Sequence, residues 1–325
     1  MRRTIFLTIL PLLCSTVFSY AQDDIVEALN RYGTLDAWSV RAVKESAIIG
    51  GKVKYLYEFF GDRDTVETRE PYAAPEGYYW RTNNILAVVM GVTKTNNTVF
   101  PEKRGDGYCA RIETHIESVK AFGIVNMDVT CQGAFILGAL TEPISDTKDP
   151  MAKVLYGVPF SGRPEALVYD YKAEVGHEAI RGTGFSRLKP LGYPDYPEVA
   201  VILQKRWEDA DGNIFALRVG TGYEVIKENV PEWKNGHRLE IHYGDISGED
   251  FYEDYMRLQQ GDEKTFHAIN SRGENVMVKE VGWASADETP DCMIIKFLSS
   301  CGQAFYGGVG NTLWIDNIRL VMPEQ

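Results

Sequence analysis

Val199-Ala200-Val201-Ile202-Leu203-Gln204-Lys205-Arg206-Trp207 and Ile214-Phe215-Ala216-Leu217-Arg218-Val219 flank the loop Glu208-Asp209-Ala210-Asp211-Gly212-Asn213. The Asp-Gly and Asn of that loop tolerate the positive φ that a tight turn requires, so the stretch reads as a β-hairpin. Val199 to Leu203 is apolar at every position, which predicts a central strand covered on both faces. Met293 to Leu298 has nearly the same character.

The pattern spreads outward from this hairpin. Trp38 to Ala42, Lys52 to Phe60, Ala110 to Thr114 and Val125 to Cys131 alternate as half-buried strands do. Leu167, Tyr169, Tyr171, Ala173 and Val175 share one face of a further strand, which places both tyrosines in the interior. Helix signals are few. Asp23 to Tyr32 carries Ile25, Val26 and Leu29 at helical spacing, and Asp250 to Gln259 aligns Phe251, Tyr255 and Leu258 after a capping Ser247. Many strands with short turns and one or two short helices predict an all-β antiparallel sandwich or barrel rather than a doubly wound α/β fold.

The 325 residues are 44% hydrophobic and 25% charged, which excludes a disordered or fibrous chain. Lys and Arg number 34 against 46 Asp and Glu, a net −12, and no basic stripe offsets it. A surface of that sign repels phosphate backbones, so nucleic acid is not expected as a partner. Met1-Arg2-Arg3, the apolar run Ile5 to Val17 and Ser19-Tyr20-Ala21 read as a secretory signal over residues 1–21, with export to the periplasm or outer cell surface expected. Membrane association would require acylation at Cys14, which Leu13 disfavours. A strand-rich extension over residues 22–75 and one large domain over residues 76–325 follow. Cys109, Cys131, Cys292 and Cys301 form no CxxC element; they are read as buried thiols, with a Cys109–Cys131 bridge as the alternative.

Local enzyme motifs are missing. GxSxG, HExxH and Walker sequences do not occur, and Gly307-Gly308-Val309-Gly310 leads into a strand, so nucleotide binding is not expected. The five histidines are scattered, without metal-ligand spacing. In Thr312-Leu313-Trp314-Ile315-Asp316-Asn317-Ile318-Arg319-Leu320-Val321, alternation sets Asp316 on the face of Trp314, Ile318 and Leu320. A carboxylate there needs an Arg, several N–H donors or a cation such as a structural calcium, which makes Asp316 the metal candidate. Trp207 and Trp233 border turns and are the leading rings for stacking on sugars. Trp80 is a further candidate, and Arg163, between Gly162 and Pro164, could bond hydroxyls or a carboxylate.

Gly157-Val158-Pro159-Phe160-Ser161-Gly162-Arg163-Pro164, followed by Leu167 to Lys172 and the ending Gly308 to Val321, resembles the putative carbohydrate metabolism domain family of secreted bacterial proteins. Trp80 and Gly133 to Gly138 look like that family's early segments, so the resemblance covers most of the chain from Trp38 onward. It implies a galactose-binding-like β-jelly-roll that binds poly- or oligosaccharides or acts on them, and it supplies no catalytic pair. A secreted, non-catalytic glycan-binding protein is the preferred expectation. The alternatives are a glycoside hydrolase or polysaccharide lyase using two carboxylates in the groove, and a scaffold without a sugar site.

Overall fold

The structure, a computed structural model, describes residues 25–59, 65–67, 78–89, 91–121, 125–144, 150–184, 186–261 and 266–324; residues 1–21, where a secretory signal is expected, lie outside them. The chain is all-β and mainly antiparallel, with one α-helix, at residues 25–32, among the described residues. The strands that carry the surfaces below are β1 (Val99–Arg104), β2 (Gly107–Glu113), β3 (Ala134–Leu140), β4 (Val154–Tyr156), β5 (Ala166–Glu174), β6 (Glu198–Glu208), β7 (Ile214–Val225), β8 (Val230–Glu240), β9 (His267–Ile269), β10 (Asn275–Trp283), β11 (Cys292–Leu298) and β12 (Thr312–Val321).

Strands β8, β5, β12, β2 and β1 form, in that order, a five-stranded antiparallel sheet. The larger layer runs β11, β6, β7, β10, β9, β4, β3. It then closes into a ring, because β3 also pairs with β11, Phe135 opposite Phe297. The joints of β7 with β10 and of β4 with β9 are parallel.

Closure explains the doubly apolar strands. Val199, Val201, Leu203, Met293, Ile295 and Phe297 face the five-stranded sheet and share a core with Leu167, Tyr169, Leu313 and Ile315. Ala200, Ile202, Cys292 and Ile294 point into the ring and meet Ile136, Tyr156, Ala216 and Val278. The ring interior also holds charge. Arg218 pairs with Glu280, which accepts further bonds from Gln204 Nε2 at 2.6 Å and the Gln259 N–H at 2.7 Å. Glu198 takes Lys296 Nζ at 2.5 Å and the Tyr223 hydroxyl at 2.7 Å. Each buried ion meets an opposite charge and hydrogen bonds, the condition under which burial is tolerated.

The helix docks onto the same main core through Ile25 and Leu29, as do Trp38 and Phe59, while Val43 of the Ser39–Lys44 strand packs with Leu56 and Leu86 in a small separate cluster. Two sequence expectations are corrected. Asp250 to Gln259 is not a helix; it forms turns and a single 3-10 turn at Asp254–Met256. Tertiary contacts override its periodicity: Phe251 stacks on His242 at 4.1 Å, and Arg218 donates to the carbonyls of Met256 and Arg257. The like charges of Glu249, Asp250, Glu253 and Asp254 at helical spacing also oppose a helix. The Cys109–Cys131 bridge does not form, since the two residues belong to different sheets and all four thiols are free.

Candidate functional site: two tryptophan surfaces

The outer face of the five-stranded sheet is organised by two bulges on either side of β5. In β8 the register slips opposite Tyr169–Tyr171, where Gly236 takes φ +66°. In β12 it slips opposite Val168–Asp170, where Asn317 takes φ +49°. A bulge leaves ladder groups unpaired, and Asp170 accepts from the backbone of one bulge and from the side chain of the other. Its Oδ1 takes the Gly236 N–H at 2.7 Å and its Oδ2 takes Asn317 Nδ2 at 2.8 Å.

The Asn317 bulge also corrects the reading of Asp316. One extra residue reverses the alternation, so Ile318 and Leu320 join Leu313 and Ile315 in the core, while Trp314 and Asp316 keep to the outer face. The charge of Asp316 is met by Arg104, whose Nη1 reaches Oδ2 at 2.7 Å, and by the Asn317 N–H at 2.8 Å on Oδ1. Among the described residues no three His, Cys, Asp or Glu side chains converge as a metal site.

Arg104 is the hub of this face. Its Nη2 also bonds Asp170 Oδ2 at 2.8 Å and Asn235 Oδ1 at 2.7 Å, and its guanidinium lies over the Trp233 ring, 3.8 Å from the centroid. Burial pushes the Asp316 carboxyl up, and Arg104 only partly offsets it. Burial works in the same direction on Asp170, but hydrogen bonds from Asn317, Gly236 and Arg104 outweigh it and hold that carboxyl down. Beside them Lys172 lies over Trp314 at 4.3 Å, and Trp314 Nε1 donates to Glu102 at 3.0 Å. Trp233, on the edge strand β8, is half-buried with its guanidinium partner on one side.

Behind the Gly236 bulge, His237 turns toward the core side. Its Nε2 lies 2.9 Å from both oxygens of Glu224, which also accepts the Tyr169 hydroxyl. Burial, then the negative charge of Glu224, pushes that phenol well up.

Trp207 occupies a separate surface on the outer wall of the ring. It is 43% exposed and lies nearly parallel to Phe215, with ring centroids 5.9 Å apart. Strand β11 stops pairing with β6 at Gln204–Cys292, so among the described residues it does not continue alongside Trp207. Lys205, two residues back on the same face, pairs with Asp291 at 3.5 Å.

The other two candidates are structural. Trp80 is 2% exposed, stacked on Phe135 at 5.1 Å in the main core, so it is not a glycan contact. Arg163 spends its donors on the carbonyls of Ala286 and Glu288 and lies over the Tyr243 ring at 4.1 Å, which makes it a loop brace rather than a ligand clamp. The structure thus joins Trp233 to Asp316 through Arg104 and keeps Trp207 apart. Sequence reasoning missed Arg104, Asn235 and Phe215. The turn signal Gly105-Asp106-Gly107 marks Arg104 as a strand end, but its acceptors come from strands remote in sequence.

No family model matches the chain, and no curated protein matches it. Among solved structures, a putative glycoside hydrolase from Bacteroides thetaiotaomicron is similar at 17% identity, over 85% of this chain and 82% of that one, with a TM-score of 0.45. A putative glycoside hydrolase from Bacteroides vulgatus is similar at 15% identity, over 84% of this chain and 88% of that one, with a TM-score of 0.43.

Proposed function

We propose that this chain is a secreted, non-catalytic carbohydrate-binding protein that takes part in polysaccharide recognition, with Trp233 as its principal sugar contact. The observation that carries the reading is the fixed Trp233–Arg104 pair. An indole at a sheet edge is held by a guanidinium that three separate oxygen-bearing side chains lock in place. A ring so held loses little conformational freedom when a pyranose stacks on it, and the neighbouring Asn235 and Lys172 can bond hydroxyls. The resemblance of residues 157–172 and 308–321 to the putative carbohydrate metabolism domain family points the same way, and those blocks include β5 and β12, the strands of Asp170 and Asp316.

Binding is favoured over hydrolysis at this face because its carboxylates Asp170, Asp316 and Glu102 are already engaged. Asp170 is bonded to both bulges, Asp316 holds Arg104, and Glu102 accepts from Trp314 and pairs with Arg111, which leaves none of them free to protonate a leaving group or activate water. Affinity electrophoresis of the mature chain through gels containing individual plant and microbial polysaccharides tests the reading. The expected result is retardation that is sharply reduced in Trp233→Ala. Equal retardation of the variant, or none of the wild type across those gels and a glycan array, overturns it. Export would be checked by an N-terminus at Gln22 in the periplasmic fraction.

A further inference from the structure

The geometry points to a second saccharide contact at Trp207, separate from Trp233, so that a polysaccharide engages the protein at two places while a short oligosaccharide engages one. The inference rests on the glycan-binding reading above. Among the described residues, four of the nine large apolar side chains that stand exposed lie along one wall of the ring: Trp207, Ile269, Met277 and Val281. Trp207 is the one ring among them. Phe215 backs it on one side, and among the described residues β11 does not continue along the other, open side. Lys205 and Asp291 border that open side as a loose, exposed ion pair at 3.5 Å, with donor and acceptor capacity left over for hydroxyls. A flat ring with one free face and a mixed donor–acceptor edge is the chemistry that takes the CH face and the hydroxyls of a pyranose.

The spacing follows from the register. Trp207 stands opposite Phe215, and Trp233 lies by the Tyr171–Lys234 pair, four residues along β8 from His237, which meets Glu224. Phe215 and Glu224 stand nine residues apart on the same strand, roughly 30 Å at about 3.3 Å per residue, so the two tryptophan surfaces are separate. Two linked contacts raise apparent affinity by about 10²–10⁴-fold when both can be engaged.

The test takes a polysaccharide that retards the wild-type chain and a trisaccharide cut from it, and measures both affinities for wild type, Trp207→Ala and Trp233→Ala. The wild type is expected to bind the polymer at least tenfold tighter, per binding unit, than the trisaccharide. Each variant is expected to lose that gain while keeping trisaccharide binding at its remaining ring. Polymer binding by Trp207→Ala equal to wild type, or no polymer gain in the wild type, overturns the second contact while leaving the glycan-binding reading intact. Failure of every glycan to bind defeats the reading itself. A concentration-dependent dimer abolished by Met277→Ser with Val281→Thr would show that the wall is a protein interface, and would also overturn the proposal.

Discussion

Replacing Arg104 by Met tests whether one guanidinium holds the outer face together. The change removes the only cation bonded to both Asp170 and Asp316 among the described contacts, and the ring partner of Trp233. Leaving a buried charge without its partner costs about 3–5 kcal/mol. Arg104 keeps 19% of its side chain in solvent and the two carboxylates 11% and 9%, so screening reduces this to about 2–3 kcal/mol at neutral pH. The pH dependence carries the sign. Without Arg104, burial raises the Asp316 carboxyl further above its unfolded value, so at Asp316 the folded state binds protons more tightly than the unfolded chain, while Asp170 keeps its bonds from Asn317 and Gly236. The Asp316 part of the penalty is then complete above its folded pKa and disappears as pH falls below its unfolded value of about 4, whereas the Asp170 part persists to lower pH because that carboxyl is held down. Urea unfolding at pH 7.5 and pH 4, with slopes compared to confirm a common transition, gives the deficit directly. Adding Asp316→Asn should return at least half of it at pH 7.5. A deficit equal at the two pH values, or below about 1 kcal/mol at pH 7.5, refutes the reasoning.

Trp80→Ala should destabilise by about 3–5 kcal/mol as a core deletion, whereas Trp207→Ala should cost under about 1 kcal/mol; thermal melts of the two variants separate core ring from surface ring. Glu58, buried beside Arg41 at 3.2 Å, has its carboxyl pushed up to about 8, chiefly by burial. A folded pKa above the unfolded one means that stability present below about pH 4.5 is lost as pH rises through 8, by up to about 4–5 kcal/mol, and Glu58→Gln should flatten this decline in melts from pH 5 to 9. A variant profile parallel to wild type would refute that assignment. Glu280→Gln should cost about 3–5 kcal/mol by stranding Arg218 inside the ring, and Arg218→Met combined with Glu280→Leu should cost less than the single change; the reverse order in urea midpoints would contradict the pairing.

What the sequence made legible was whatever depends on neighbours along the chain. The hairpin at Glu208 to Asn213 forms as expected, and so do the doubly covered strands β6 and β11 and the inward Tyr169 and Tyr171. Trp207 was placed at the surface because it borders a turn. Trp80 carried no comparable signal: an isolated aromatic in a short strand reads alike whether it faces solvent or a core. Ring closure was invisible because it joins Phe135 to Phe297, and parallel joints such as β7 with β10 have no short-range turn to announce them. Asp316 was misplaced for a different reason. Alternation assumes a strict period of two, and a single residue in the left-handed region at Asn317 shifts every side chain after it to the other face.

That same irregularity accounts for the site. A bulge withdraws backbone donors from the ladder, and Gly236 N–H would be unpaired on a covered face without an acceptor nearby. Asp170, between the two bulged strands, serves Gly236 and Asn317 together. An ionised carboxylate in that position requires a cation, and Asp316 beside it doubles the requirement, which one bidentate-capable guanidinium can meet where a lysine ammonium could not span both acids. The guanidinium plane, once fixed, offers its face to an aromatic ring, and Trp233 takes it. The position of the half-buried indole is therefore set by backbone geometry two strands away, so Asn317→Ala, which strains the left-handed residue and removes an Asp170 donor, should weaken glycan retention by disordering Trp233, although Asn317 lies on a different strand.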